Sequence, residues 1–378
     1  MIPAAATERR IVFLDFARAI ATLLMLQGHT VDALLDTALR AGPVFHGWTL
    51  ARGLTSATFL FVGGFAFSVV TARGWKEAAG AAGTRRRLRR FLFFLALGYA
   101  LHWPAGSLEG AMALPAARWS SFLAVDVLQC IAVTLTLLQL LAIVAGSPRR
   151  FLWGAAGLCA ALVALTPLVW PAAPAWPLPA ALIAYLTPAN GSLFPLLPSA
   201  AYGALGAALG MMYASSHQPG ASLRALRMIG AIGVLMVAAG TAGRLAGAEP
   251  VGGIEMGAAR PTQFLLQAGA VCLVVALIAW ASRAVAHRSP PVIAIAQESL
   301  TVYFVHVCLV YGSPWNPGLR QVFGPTLSLP EVALCVVAMW SLMGLLSVGW
   351  NHYKHHQPAR ARYVRLAVVC ALTLLVVV

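Results

Sequence analysis

The stretch RIVFLDFARAIATLLMLQGH, from Arg10 to His29, decides the fold class of this chain. It is apolar enough to enter a membrane, but it carries Asp15 and Arg18 one helical turn apart and ends in a histidine. Charged side chains are costly inside a membrane, so those found there usually pair with one another or mark a functional site. The two charges and the lack of a small-x-small cleavage site argue against a cleaved signal peptide. The stretch therefore predicts a retained first transmembrane helix.

The composition of the whole chain supports a polytopic membrane protein. Hydrophobic residues make up 60% of the 378 positions and charged residues only 10%, against about 25% charged in soluble domains. The net charge of +15 is spread in short runs between apolar segments, so it predicts topology signals and a lipid bilayer as partner, not nucleic acid. The six cysteines lie in apolar segments without CxxC spacing, which disfavours a metal site or a disulfide framework.

Candidate spans follow from the bilayer thickness, since a hydrocarbon core of about 30 Å needs about 20 mostly apolar helical residues. They predict an all-α transmembrane helix bundle forming a single membrane-embedded domain over residues 1–378. The eleven predicted spans are Ile11 to Gly28, Leu54 to Ala72, Phe91 to Trp103, Phe122 to Ala145, Phe151 to Trp170, Phe194 to Tyr213, Met228 to Gly247, Phe264 to Ser282, Val292 to Gly312, Val332 to Trp350 and Tyr363 to Val378.

The basic residues set the predicted orientation. With the N-terminus inside, 19 of the 26 Lys and Arg residues fall on the cytoplasmic side, six fall outside and Arg18 lies within the membrane. Cytoplasmic loops are enriched in Lys and Arg, so the chain is predicted to start in the cytoplasm and end outside. The segment from His29 to Gly53 is then an extracytoplasmic loop. The polar residues predicted near that outer side are His29, Asp32, Asp36, His46, His102, Asp126 and His306.

Each polar group has a functional and a structural interpretation. His29 is a candidate base that Asp32 would orient if the helix continues; the alternative is an interfacial anchor. Asp15 and Arg18 share a helix face; they either lock the helix in the bundle, with Glu298 as a third member, or contact an anionic ligand. The run TRRRLRR, Thr84 to Arg90, favours attraction to anionic lipid over capture of a phosphorylated ligand.

Four stretches together carry a family resemblance. Arg10 to His29 resembles the first-span signature of the membrane acyltransferase superfamily, which runs from Arg/Ser-x-Asp-x-x-Arg-Gly-x-Ala to Met-x-x-x-His or Asn. Pro43 to Val69, Phe194 to Tyr213 and Glu298 to Tyr311 fit further motifs in order. The chain looks most like the heparan-α-glucosaminide N-acetyltransferase catalytic domain, which is related to bacterial O-acyltransferases. Departures are Ala19 where glycine is usual, and His29 where the N-acetyltransferase branch has asparagine.

The resemblance implies an enzyme that moves an acyl group, expected to be acetyl, from cytosolic acyl-CoA to a sugar or glycan on the other side of a bacterial cytoplasmic (inner) membrane. It implies that His29 and His46 are catalytic, that Arg18 shapes the inner end of the acyl-CoA path, and that Arg85 and Arg86 bind the donor. No metal is implied. Whether the acceptor atom is nitrogen or oxygen, whether His46 carries the acyl group or acts as a base, and whether the protein forms a homo-oligomer stay open.

Two other classes compete with this interpretation. A secondary transporter or small-molecule exporter would also explain many spans and intramembrane charge, but such folds usually show repeated halves, and the sequence shows no internal repeat. A non-catalytic membrane scaffold would leave the outer histidines without a purpose. The acyltransferase is therefore the favoured hypothesis.

Overall fold

The structure is a computed structural model that describes residues 11–215, 221–247, 259–283, 290–313 and 315–377. No β-strand occurs in these ranges, so the predicted all-α class is confirmed. The helices, in chain order, are α1 Val12–Leu34, α2 Gly42–Arg73, α3 Trp75–Ala79, α4 Ala81–Leu101, α5 Leu108–Met112, α6 Ala116–Leu123, α7 Val127–Ala145, α8 Pro148–Ala172, α9 Ala180–Leu186, α10 Leu196–Ala214, α11 Ala221–Leu245, α12 Pro261–Ala281, α13 Pro290–Gln297, α14 Ser299–Tyr311, α15 Leu319–Phe323, α16 Leu329–His356 and α17 Pro358–Val377.

The chain divides into two compact units. Unit 1 comprises Met1–Thr55, Ala105–Leu114 and Leu277–Val378, and unit 2 comprises Ser56–Pro104 and Pro115–Ala276. Helix α2 begins in unit 1 and continues into unit 2.

Membrane crossing is supported by the length and apolar composition of the helices. Within the described residues, seven helices are long and apolar enough to span a bilayer, and the bent pair α13 and α14 makes eight if it is one span. The other three predicted spans fall on α1, α4 and α17, which are 23, 21 and 20 residues long and are interrupted by charged side chains. The protein is thus a multi-pass membrane protein, and the count of eleven spans and the orientation stay predictions.

Two predicted boundaries were wrong, and one predicted span is bent. The segment from His29 to Gly53 is not one loop, because α1 continues to Leu34 and α2 already begins at Gly42. The fourth predicted span is interrupted between α6 and α7, where the side chain of Asp126 accepts a hydrogen bond from the Val127 backbone N–H and caps α7. The ninth is bent by 71° where α13 meets α14.

In unit 1, α1 packs against α13, α14, α15 and α16. Its inward face contributes small and branched apolar side chains to a core that includes Leu26, Leu34, Val302 and Val336. The exposed Trp340 of α16 donates its indole N–H to the Leu23 carbonyl at 2.8 Å. The first helix is therefore the central element of unit 1.

In unit 2, helices approach one another through glycine. A Cβ added at Gly210 of α10 would lie 2.6 Å from the Phe65 carbonyl oxygen of α2, and one added at Gly269 would lie 2.8 Å from the Gly233 oxygen. Within lipid there is little hydrophobic drive for helix association, so small residues that allow close van der Waals contact stabilise such pairs.

Topology can be tested with two cysteine variants in a Cys370→Ser background, since Cys370 is the exposed native cysteine in the described residues. Thr37→Cys, on an exposed turn that is predicted to lie outside, should react with an impermeant thiol reagent in intact spheroplasts. Ala82→Cys should react only after the membrane is opened. Ala82 is preferable to its neighbour Gly83, because a Cβ at Gly83 would collide with the Glu77 backbone. The opposite labelling pattern would invert the predicted orientation.

Candidate active site

The candidate site of unit 1 is centred on His29, near the C-terminal end of α1. Its imidazole Nδ1 lies 3.1 Å from Nε2 of His306, which is on α14. The two ring centroids are 5.1 Å apart. The structure thus joins residues that are 277 positions apart in the chain.

The backbone determines how His306 is oriented. Its ring is completely buried, and its Nδ1 lies 2.9 Å from the carbonyl oxygen of Val302, one turn earlier on the same helix. A carbonyl can only accept a hydrogen bond, so Nδ1 of His306 must carry the proton and donate it. In the neutral ring, Nε2 of His306 is then an acceptor.

This orientation determines the proton position on His29 as well. If Nε2 of His306 accepts, the bond between the two rings requires Nδ1 of His29 to be the donor. The neutral ring of His29 then has its lone pair on Nε2. The pair therefore has one basic nitrogen, Nε2 of His29, and the hydrogen bond from Nδ1 holds the ring in place. A general base needs this arrangement.

Aromatic rings surround the histidine pair. Tyr311 lies edge-on to His29 at a centroid distance of 5.5 Å, and Tyr303 lies edge-on to His306 at 5.6 Å. The guanidinium of Arg320 lies 5.9 Å from the Tyr311 ring. These contacts restrict both imidazoles to one orientation.

Asp32 does not orient His29 as the sequence analysis expected. Its two carboxylate oxygens bind the two terminal nitrogens of Arg52 from α2, a bidentate geometry that holds Arg52 in place. Arg52 also lies 5.3 Å from the Trp48 ring. A Cβ at Gly28 would lie 3.2 Å from the Arg52 side chain, so the glycine before His29 makes room for this arginine.

Arg40 closes the C-terminal end of α1. Its guanidinium donates to the Leu35 carbonyl, with Nε at 3.0 Å, and to the Asp32 carbonyl, with Nη2 at 2.9 Å. A cation at this end satisfies carbonyls that have no partner within the helix and complements the helix dipole. Arg40 therefore keeps the turn that carries His29 and Asp32 helical.

His46, the second predicted catalytic histidine, lies near the start of α2 and is exposed. The described ring contacts of His29 are with His306 and Tyr311. The structure therefore joins His29 to His306, and it places His46 on a helix instead of the loop that the sequence predicted.

The intramembrane charges of unit 1 have separate surroundings. Asp15 and Arg18 are half-buried on α1 and both are engaged in interactions. The buried Glu298, which the structural interpretation of that pair included as a third member, lies 2.5 Å from Nζ of Lys354 and accepts a hydrogen bond from Asn351 at 2.9 Å. Glu298 thus has its own cation on α16, at the bend between α13 and α14.

The predicted donor-binding residues Arg85 and Arg86 belong to unit 2. Both are exposed on α4, and Arg86 lies 3.3 Å from the exposed Glu77 carboxylate. Exposed pairs of this kind contribute little stability. In the same unit, Nε2 of His102 lies 3.8 Å from the Asp126 carboxylate.

The sequence predicts His306 near the outer side but does not distinguish it as a site residue. The available signal was its position in ESLTVYFVHVCLVY, one of the four matched stretches. Among the described residues, no group of three or more His, Cys, Asp or Glu side chains has an arrangement that could hold a metal ion.

Comparison with known proteins gives one match. The sequence model of the family described as heparan-alpha-glucosaminide N-acetyltransferase, catalytic, matches residues 10–242 of this chain. A search of curated proteins gave no significant match. The matched range begins at the stretch that ends in His29.

The proton position on His29 can be tested by solid-state NMR of protein with ¹⁵N-labelled histidine, using His29→Ala to assign the signal. The wild type should show a protonated Nδ1 and an unprotonated Nε2. His306→Leu removes the acceptor, so the other tautomer should become populated, whereas His306→Gln keeps an acceptor oxygen and should preserve the wild-type signal. His352→Gln, at an exposed position of α16, is the control. An unchanged His29 signal in His306→Leu would contradict the assignment.

Proposed function

This chain belongs to the heparan-α-glucosaminide N-acetyltransferase catalytic family, and from that membership we propose that it moves an acyl group, expected to be acetyl, from cytosolic acyl-CoA to a sugar or glycan across the membrane. The proposed location is the cytoplasmic (inner) membrane of a bacterium, with one acyltransferase domain over residues 1–378. The family membership supports acetyl transfer, and the apolar helices support a membrane enzyme.

The observation that carries the proposal is the hydrogen bond between His306 and His29. It leaves Nε2 of His29 with a lone pair at a fixed position. Acyl transfer needs a base that removes a proton from an amine or hydroxyl near neutral pH, and a neutral imidazole is suited to this. His306 acts through His29 and is therefore a positioning residue.

In a direct transfer, Nε2 of His29 takes the proton of the acceptor as the acceptor atom attacks the thioester carbonyl. The tetrahedral intermediate collapses, the C–S bond breaks, and the proton on His29 passes to the departing thiolate. The positive charge on His29 during this cycle is stabilised by donation from its Nδ1–H to His306. The products are the acylated sugar and free CoA thiol, so atoms and protons balance without a further reactant.

His46 is the second proposed catalytic histidine. It acts either as a base or as a covalent carrier, in which case its ring nitrogen takes the acyl group from the thioester and passes it to the acceptor. Arg18 is proposed to contact the donor along the inner part of α1, and Arg85 and Arg86 are proposed to attract its phosphates. These roles rest on the family pattern and on charge.

A secondary transporter is the second candidate because of one structural observation. The ninth predicted span is broken and bent by 71° at the buried Glu298, and broken helices with intramembrane charges are common in transporters. Purified protein given labelled acetyl-CoA and a sugar mixture distinguishes the two: CoA release supports the enzyme, and uptake of a labelled solute without CoA release supports the transporter.

Histidine variants test the chemistry. His29→Ala should lower acyl transfer by about 10²–10⁴-fold, the usual contribution of a positioned base, and His46→Ala should also abolish transfer. His102→Ala, which removes a polar pair of unit 2, should have a milder effect. If His46 is a covalent carrier, labelled acetyl-CoA without acceptor should label the wild type but not His46→Ala. Wild-type turnover in both His29→Ala and His46→Ala would contradict the proposed site.

Arg18 is tested with a double variant. Arg18→Ala alone should reduce expression because it leaves the Asp15 carboxylate in the membrane without the neighbouring charge, and Asp15→Ala with Arg18→Ala should express better. If the double variant folds but no longer binds acetyl-CoA, Arg18 contacts the donor. Normal acetyl-CoA binding in that variant would leave Arg18 with a structural role only.

A further inference from the structure

Arg87 of unit 2 differs from the other arginines in the basic run Thr84 to Arg90. It is half-buried, whereas Arg85, Arg86, Arg89 and Arg90 are exposed on α4. Its guanidinium stacks on the Phe67 ring of α2 at 4.7 Å. Arg87 thus lies between helices, where a cation normally requires hydrogen-bond acceptors or an anion as partner.

Two neutral acceptors hold one end of the guanidinium. Nη1 of Arg87 donates to Thr71 Oγ1 of α2 and to Gln139 Oε1 of α7, both at 2.9 Å. The contact with Phe67 adds a cation–π interaction. Arg87 is therefore fixed in orientation by helices α2 and α7 as well as by its own α4.

Further hydrogen bonds hold both acceptors in place. Gln139 is completely buried, and its Nε2 donates to the Ala78 carbonyl at 3.0 Å and to Thr84 Oγ1 at 2.9 Å. These bonds determine which way the amide faces, so Oε1 is directed at Arg87. Thr71 donates its hydroxyl proton to the Phe67 carbonyl at 2.6 Å, which leaves its oxygen lone pairs for Arg87.

The charge of Arg87 has no anionic counterpart in the described part of the chain. Its hydrogen-bond partners there are neutral, and the neighbouring charge that acts on it is the like charge of Arg86. Only Nη1 is used by these partners, so Nη2 and Nε remain as donors for another group. Buried charges in proteins are usually paired. Here the remaining donors of Arg87 can bind an anion from outside the protein.

We propose that Arg87 anchors a phosphate-binding site on the predicted cytoplasmic side of unit 2. The ligand is a phosphate monoester or diphosphate group, because two guanidinium N–H groups match two phosphate oxygens. Exposed arginines nearby, such as Arg85 and Arg86, attract the phosphate through their charge but do not fix its orientation. The phosphate belongs either to a soluble cofactor such as acyl-CoA or to an anionic lipid headgroup. The site rests on the proposed binding of the acyl-CoA phosphates by arginines of α4, and it does not depend on the histidine pair.

The test measures binding of acetyl-CoA to purified protein in phosphatidylcholine nanodiscs, with acetyl-pantetheine as the analogue that lacks phosphate. Arg87→Gln should bind acetyl-CoA about tenfold to a hundredfold more weakly, the loss expected for a charge-assisted hydrogen bond. Arg89→Gln, at an exposed position of the same helix and basic run, is the matched control and should change affinity less than threefold. Neither variant should alter acetyl-pantetheine binding.

A gentler variant keeps the proposal testable if Arg87→Gln does not fold. Thr71→Val has nearly the same shape, keeps the charge of Arg87 and removes one of its two acceptors, so it should weaken acetyl-CoA binding by a few fold to about tenfold. Unchanged affinity in Thr71→Val and Arg87→Gln, or equal losses in Arg89→Gln and Arg87→Gln, would overturn the proposal.

Two competition measurements identify the molecule that carries the phosphate. If phosphatidic acid in the nanodisc competes with acetyl-CoA in the wild type but not in Arg87→Gln, the site accepts a lipid headgroup; if competition comes only from soluble 3′,5′-ADP, it accepts a soluble nucleotide. His29→Ala should retain wild-type acetyl-CoA binding. Wild-type transfer activity in His29→Ala, with acetyl-CoA binding intact, would then count against the proposed reaction and not against this site.

Discussion

A polar side chain inside an apolar helix bundle has no water to bind, so it must find its partner in another part of the protein. This constraint explains the arrangement around one buried side chain in each unit. In unit 1, the buried His306 is satisfied by Val302 and His29. In unit 2, the buried Gln139 is satisfied on all sides, and its oxygen is left to bind Arg87. Each partner then has only one orientation in which all its hydrogen bonds are made.

The same constraint leaves one polar group at the end of each of these hydrogen-bond chains available to an outside molecule. A chain of hydrogen bonds that begins at a backbone carbonyl fixes which atom donates and which accepts at each step. Only the group at its far end can then bind an outside molecule. In unit 1 the last atom is Nε2 of His29, a base. In unit 2 it is the outer edge of the Arg87 guanidinium, a cation. The proposed proton transfer by His29 and the proposed phosphate binding by Arg87 therefore have the same physical origin, the need of buried polar groups for hydrogen-bond partners.

Much of the architecture was predictable because it depends on local composition. Nine of the eleven predicted spans fall on one described helix, the fourth falls largely on α7 and the ninth falls on the bent pair α13 and α14. Runs of about 20 apolar residues have few alternatives to a helix in a bilayer. The boundaries were less accurate where polar residues extend a helix. The segment after Gly28 looked like a loop, but Arg40 satisfies the carbonyls at the end of α1 and the helix continues through His29 and Asp32.

The sequence by itself determined the fold class, the approximate helices and the family, because these depend on apolar length and on the order of motifs along the chain. Only the tertiary structure decided which side chains are partners. Asp32 binds Arg52 instead of His29, His29 binds a histidine 277 positions away, and Arg87 is the arginine that neighbouring helices orient. Such pairings depend on the rotation and packing of helices that are distant in the chain, and local composition does not encode which helix faces meet.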